Sequence, residues 1–435
     1  MTKSRIIGGV LIVLLLGGAG AVFAAAWRPA IAAIGPPKPQ SFDADLVKRG
    51  RVLASIGNCS SCHTVRGGKD FAGGLAVPTP FGSVFSSNIT PDAESGIGHW
   101  SEEAFGRAMR FGVDREGRHL YPTFPYDHFT NVSYEDDRAL YAFLMTREPV
   151  HAAQHANQLS FPFSQRVLIA GWKLLFLRRD TYQPEPTRSA EWNRGAYLAE
   201  GLAHCGACHT PRNALGAERA SAAFAGGDVE NWRAYALNTR SPSPVPWDEE
   251  ALYAYLRDGF HLDHGTARGS MAEVVRNLSS VPSSDVRAIA TYMAYISGTP
   301  TPDRQRQGEA ALARAKSAQT AAPKADSEGA AIYAAACASC HESGRSLPYA
   351  GVNLGLSTAI SGPDPRNLAN IVLAGVRPVE GERSPIMPGF AASMNDEQVV
   401  ALLNFLRSRF SKGPAWTGVE KTVEEARRTQ TALVK

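Results

Sequence analysis

From Ile6 to Ala26 the chain carries no charge over twenty-one positions, behind Lys3 and Arg5. Beyond that run the pattern changes to short amphipathic stretches. Apolar residues recur at three- and four-residue intervals over Tyr134–Met145, Asp285–Ile296 and Asp396–Phe410, the period of a helix with one buried stripe. "WSEEAFGRAMRFG" from Trp100 and "WDEEALYAYLRDG" from Trp247 each set a polar start before such a stripe, as a capped helix does. These two segments lie 147 residues apart, and other stretches repeat as well. "KRGRVLASIGNCSSCHT" resembles "NRGAYLAEGLAHCGACHT", and "FAGG" follows each, at 71–74 and 224–227. The pattern therefore predicts a mainly α protein built from three repeated helical units, over 42–148, 190–298 and 329–411.

The segments between the units read differently. Residues 1–28 fit a secretory signal, with "VFAAA" as a cleavage region, and are also long enough to anchor the chain in a membrane. An uncleaved anchor is the preferred reading, and either reading exports the rest of the chain. Within the connector 149–189, "FSQRVLIAGWKLLFLRRD" (163–180) has an uncharged core too short to span a bilayer. It reads as a helix packed between units or, second, as one lying on a membrane with Arg178 and Arg179 at its end. Residues 299–328 have hardly any large apolar side chains, so a linker, in part helical, is expected there, leaving the third unit the most detachable. The tail 412–435, with Trp416 and a charged helical stretch, is expected to dock along another domain or a partner.

Composition changes this picture little. The chain has 435 residues, 44% of them hydrophobic, and a net charge of +4. A buried core is within reach, and nothing points to nucleic acid.

The cysteines carry the chemistry. All six fall in three motifs: "CSSCH" (Cys59, Cys62, His63), "CGACH" (Cys205, Cys208, His209) and "CASCH" (Cys337, Cys340, His341). A thioredoxin-like redox pair would need a βαβ setting, whereas the flanks here read as helix and loop. A shared zinc site is disfavoured because the pairs lie about 130 to 150 residues apart. Covalent attachment of three haems c fits all three motifs, with each adjacent histidine as the proximal iron ligand.

Two superpositions locate the distal ligands. The 147-residue offset carries Phe124 onto Met271, and the proline frame of "PIMP" (385–388) on "PTFP" (122–125) sets Met387 opposite Phe124. Flanking prolines hold such a loop out of helix and stiffen it. Met271 and Met387 are thus the distal ligands expected for the second and third haems, against the plainer reading of methionine as core filling. Met394 is the competitor in the third unit, while Met109 and Met145 lie in helical patterns and read as core. The first unit has Phe124 in the ligand slot, which cannot bind iron. His128 is the tentative sixth ligand there, with His119 or an open iron as alternatives, and a surface loop histidine as the plain reading of either. A bis-histidine first haem would have the lowest potential of the three, making it the point of electron entry.

With these motifs in place, the chain resembles the trihaem cytochrome c subunits of membrane-bound bacterial dehydrogenases acting on alcohols, gluconate, sorbitol and aldehydes. "FAGG", "SSNITPD", "LYP", "HCGACHTPRN" and "SMAEVV" carry the resemblance from Phe42 to Phe410. "YPTFPYDHFT" is similar to the branch that accompanies molybdenum hydroxylases such as nicotinate dehydrogenase. The resemblance implies three tandem class I cytochrome c domains and no catalysis by the chain itself. It also implies a catalytic partner bearing molybdopterin and iron–sulfur centres, ubiquinone or a terminal oxidase as acceptor, and a place on the periplasmic face of the inner membrane. A quinoprotein or flavoprotein partner, a peroxidase-like open first haem and a free redox carrier are the other readings.

Overall fold

The computed structural model describes residues 26–318, 326–342, 351–376 and 385–434. The expected signal or anchor segment lies almost entirely outside them. Among the described residues no helix is long and apolar enough to cross a membrane. Helices dominate, joined by three small antiparallel sheets. The chain divides into two compact units, one of residues up to 184 with 200–204, the other of 185–199 with 205 onward.

The first unit is built on α1 (Ala44–Ile56), which crosses α5 (Tyr134–Met145). Between them lie α2 (Cys59–His63), the strands β1 (Ala76–Thr79) and β2 (Gly82–Phe85), α3 (Glu102–Phe111) and α4 (Tyr126–Phe129). Asp43, Ser101 and Ser133 cap α1, α3 and α5, each accepting backbone N–H bonds from the first turn. The crossing is close at Gly50, where an added Cβ would stand 1.9 Å from the Ala139 carbonyl and 2.7 Å from the Phe143 Cβ. Leu53, Ile56, Leu140, Met145 and Met109 are buried here. The two methionines are core, as their helical positions predict. A two-residue strand, β3 (Gln158–Leu159), pairs with β2, and α6 (Val167–Phe176) follows.

The second unit contains the same crossing twice. Gly195 in α7 (Ala190–Tyr197) meets the Ala288 carbonyl and Tyr292 of the helix over Ser283–Ser297. Gly329 in the helix over Glu328–Ala336 meets the Ala401 carbonyl and Phe405 of that over Asp396–Phe410. In chain order its remaining labelled elements are α8 (Cys205–His209), β4 (Gly227–Val229), β5 (Trp232–Ala234), α9 (Glu249–Asp258), β6 (Phe260–His261), β7 (Gly265–Thr266) and α10 (Ser270–Ser279). After the Ser283–Ser297 helix (α11) come α12 (Pro302–Ala318), the Glu328–Ala336 helix (α13), α14 (Ala338–His341), α15 (Arg366–Ala374), the Asp396–Phe410 helix (α16) and α17 (Val419–Val434).

Two segments outside the repeats pack against them. Most of the described part of 299–328 is α12, the helical part of the linker, and this helix is docked. Ala311 and Ala315 are buried beside Leu356, and Arg304 donates to the Pro244 carbonyl at 2.9 Å. Small side chains let that face approach closely, which a count of large apolar residues overlooks. The C-terminal tail docks on the chain's own third repeat, with Trp416, Val419, Val423 and Ala426 buried among the residues of α15 and α16.

Within this unit, α15 also seals the edge of β5. The Asn367 amide accepts from Arg233 N at 2.8 Å and donates to Arg233 O at 2.9 Å, and Asn370 donates to Asn231 O. An otherwise open strand edge is thereby satisfied by side-chain amides.

Candidate haem-binding sites

The first two cysteine motifs form short helices of their own and the third does so from Ala338, with Cys337 at the N-cap, so in each the two thiols stand three residues apart and the histidine follows at the helix end. None of the six cysteines, all of them described, is in a disulfide. Burial, aided by the neighbouring Cys62, pushes the Cys59 thiol up to about 12, and burial pushes Cys337 up to about 11. Both shifts run opposite to the depressed thiol pKa of a redox-active pair.

The three adjacent histidines share one geometry. His63 Nδ1 lies 2.6 Å from the Ser87 carbonyl, His209 Nδ1 2.7 Å from that of Tyr235, and His341 Nδ1 2.8 Å from that of Val352. A carbonyl only accepts, so Nδ1 carries the proton and Nε2 presents its lone pair. Burial lowers the pKa of all three rings, outweighing the carbonyl bonds, which favour the cation. A neutral imidazole anchored through Nδ1 is the form that binds metal. The donor set therefore fits haem c, which supplies one-electron iron chemistry when bound.

The backbone that delivers these carbonyls explains the shared "HT…FAGG". Thr64 Oγ1 and Thr210 Oγ1 each accept from a phenylalanine N–H, of Phe71 and Phe224, at 3.1 Å. Both phenylalanines sit at positive φ, 63° and 56°. The chain then turns back so that Gly73 N donates to His63 O and Gly226 N to His209 O. A hairpin follows each turn, β1–β2 and β4–β5, and returns the accepting carbonyl to the ring. In the third repeat Gly351 N donates to Cys340 O.

A common spacing links the three expected distal positions. Helices α3, α9 and α15 end on Gly112, Gly259 and Gly375, each in the left-handed region at φ 58°, 72° and 71°. Phe124, Met271 and Met387 each stand twelve residues later (124 − 112, 271 − 259, 387 − 375). All three side chains are half-buried. Met387 is pinned by paired backbone bonds with Val376, 2.9 and 3.0 Å. Met271 is the second residue of α10, after Gly269 at φ 58°, where a Cβ would meet the Trp232 indole at 2.7 Å. Met394 packs partly against the third core and gives its carbonyl to Arg427.

The first site departs from this pattern. The ring of Phe124 packs against those of Phe129 (5.2 Å) and Tyr126 (6.5 Å). His119 is buried with both nitrogens engaged, Nε2 on the Ala26 carbonyl at 2.7 Å and Nδ1 on Lys173 Nζ at 3.0 Å. His128 is buried too, with Nδ1 2.8 Å from the Glu200 carbonyl and its ring 6.4 Å from that of His204. That bond draws the imidazole toward residues 200–204. It spans 72 residues of sequence, and no local signal announces it. The same holds for the carbonyls of Ser87, Tyr235 and Val352, since any residue type offers one.

The cytochrome c family matches over residues 327–410. A nicotinate dehydrogenase subunit of Pseudomonas putida is 46% identical over 92% of the chain, which spans only 33% of that relative's length. The fructose dehydrogenase cytochrome subunit of Gluconobacter japonicus is 35% identical, with 87% of this chain and 82% of the relative covered. The gluconate 2-dehydrogenase cytochrome c subunit of Pantoea cypripedii is 36% identical, covering 90% and 91%. With its Cys-x-x-Cys-His motifs and matches to such subunits over most of its length, the chain belongs to the cytochrome c subunits of dehydrogenase complexes, which transfer electrons and leave the dehydrogenation to a partner.

Proposed function

We propose that the chain holds three covalent haems c in three tandem cytochrome c domains. Cys59 and Cys62, Cys205 and Cys208, and Cys337 and Cys340 form the thioethers. His63, His209 and His341 bind iron proximally, Met271 and Met387 distally in the second and third sites. For the first site His128 is the proposed sixth ligand. Its Nδ1 is taken by Glu200 O, so coordination runs through Nε2.

The observation that supports this reading most directly is the Nδ1-to-carbonyl bond made three times over. Quantifying haem that stays bound to denatured, acid-extracted protein tests it. Three equivalents per chain are expected, and fewer overturn the reading.

As partner we propose a molybdenum hydroxylase that oxidises an aldehyde or an N-heterocycle. The 46% identity to a nicotinate dehydrogenase subunit and the "YPTFPYDHFT" loop support this choice over a quinoprotein or flavoprotein dehydrogenase. Electrons pass on to ubiquinone or a terminal oxidase at the periplasmic face of the inner membrane. Metal analysis of the complex isolated from membranes tests the partner, since a molybdenum-free complex excludes it.

A second reading rests on Phe124, which leaves its slot without a ligand atom. On that reading the first iron is open and binds small ligands. A first haem that takes up carbon monoxide or cyanide readily supports it, and a low-spin, indifferent one removes it.

A further inference from the structure

Helix α6 (Val167–Phe176) is apolar on both sides but buries only one. Ile169, Ala170, Trp172 and Lys173 face inward. Trp172 meets Tyr126 edge-on at 6.1 Å, and Lys173 Nζ donates to the Phe111 carbonyl at 2.7 Å and to His119 Nδ1 at 3.0 Å. These contacts fix the rotation of the helix.

The opposite stripe is open to solvent. Val167, Leu168, Leu174 and Leu175 are 47, 48, 70 and 71% exposed. A Cβ added to Gly171, between them, meets nothing within 4 Å. At 3.6 residues per turn these five positions fall within an arc of roughly 120°. Phe161 extends the patch from the preceding loop, at 82% exposure. No acidic residue occurs from Ser160 to Arg179, while Arg166 stands at one end of the helix and Arg178 and Arg179 at the other. All three arginines are exposed.

We propose that this face docks on a lipid bilayer. The helix lies in the plane of the interface, Leu174, Leu175 and Phe161 enter the outer edge of the acyl chains, and the terminal arginines meet anionic headgroups. At ten residues the helix is about 15 Å long, enough to lie in an interface and too short to span one. The stripe carries no side-chain donor or acceptor with which a protein partner could set a register, whereas a fluid apolar layer needs none. Its basic ends suit phosphate-bearing lipid. The proposal deepens the membrane location given above and rests on it. It also sets the distal loop of the first site one layer behind the docking face, because Tyr126 stands between Phe124 and Trp172.

The test uses the haem-loaded full chain with Leu175→Cys, carrying a nitroxide label, in vesicles of phosphatidylethanolamine and phosphatidylglycerol. The unsubstituted chain is the labelling blank. Glu135→Cys, on an exposed polar position of α5, is the aqueous control. On vesicle binding, the ratio of label accessibility to oxygen over accessibility to a water-soluble nickel chelate is expected to rise roughly fivefold at 175 and to stay level at 135. A chain that co-sediments with vesicles while the label at 175 stays as open to nickel as that at 135 overturns the docking face and leaves the membrane location standing. A chain that does not sediment at all overturns both. A label shielded from both reagents only when the catalytic subunit is added makes the face a protein interface and overturns the proposal.

Discussion

Phe124 and Met271 are separated from their helix-ending glycines by the same twelve residues, yet only the thioether has a lone pair to offer iron. If the first loop is a ligand loop that has lost its ligand, Phe124→Met restores it. The variant is expected to gain a far-red sulfur-to-iron charge-transfer band and to raise the potential of one haem by on the order of 0.1 V, within the roughly 0.8 V that axial ligands span. Spectroelectrochemical titration checks this, and an unchanged spectrum removes Phe124 from the slot. The candidate residues of these sites can be named from the sequence because covalent attachment demands a fixed local motif and because prolines frame the loops of Phe124 and Met387. Partners reached through tertiary folding left no such mark, as His128 on Glu200 O illustrates. His264 was equally silent in the sequence. It is buried, stacks on Trp247 at 3.5 Å and bonds to Ser243 Oγ at 3.0 Å. Burial, with His261 and Arg304 nearby, lowers its pKa to about 3. Between the unfolded value near 6.5 and about 3 the unfolded chain binds the proton and the folded one does not, so stability falls as pH drops through that window. Between pH 7 and pH 4.5 the loss attributable to this ring is on the order of 2 kcal/mol. Urea midpoints at the two pH values, compared with His264→Phe, should show the slope shrink in the variant.

At the scale of elements, the glycine in "KRG" and "NRG" proves to be what the repeated motif was preserving. Gly50, Gly195 and Gly329 are the points where two helices touch, carbonyl against Cα. Arg49 and Arg194, just before the first two, reach Asp136 at 2.7 Å and Asp285 at 2.8 Å on the crossing helix. The arginine of each pair is solvent-exposed, which screens the attraction. The glycines matter more. A methyl group at 195 would stand 1.9 Å from the Ala288 carbonyl, so the helices must part. Gly195→Ala is expected to destabilise the second unit by about 3 kcal/mol or more, read as a lower thermal midpoint by circular dichroism, while Gly106→Ala, where nothing lies within 4 Å, serves as the tolerated control. The helices were legible from period and caps. The hairpins were not, because strands of two to four residues have too few positions to show alternation. The docking of helix α12 is hidden for another reason: its buried face is alanine, which a search for large apolar residues passes over.

For the whole molecule, the division into two compact units predicts how damage spreads. The second and third repeats share one unit. Asp228 pairs with Arg233 at 3.0 Å and with Arg366 at 2.7 Å, Asn367 and Asn370 hydrogen-bond the β4–β5 hairpin, and Arg268 donates to the Gly375 carbonyl at 2.9 Å. Gly375 is the glycine from which Met387 is counted, so a change in the second repeat reaches the third ligand loop through hydrogen-bonded backbone. Removing the Arg268 and Asn367 side chains together (Arg268→Ala with Asn367→Ala) withdraws two of these links and leaves every proposed thioether cysteine and iron ligand in place. On the proposed reading three haem equivalents are therefore expected to remain, while the second unit loses roughly 2 to 4 kcal/mol, the sum of a buried amide and a part-buried guanidinium. The potential assigned to the third site should shift with it. The first site, whose core residues Leu53, Ile56 and Leu140 belong to the other unit, should keep its potential. A titration in which all three potentials move together, or in which only the second moves, would show that the repeats are not coupled in the way this seam requires.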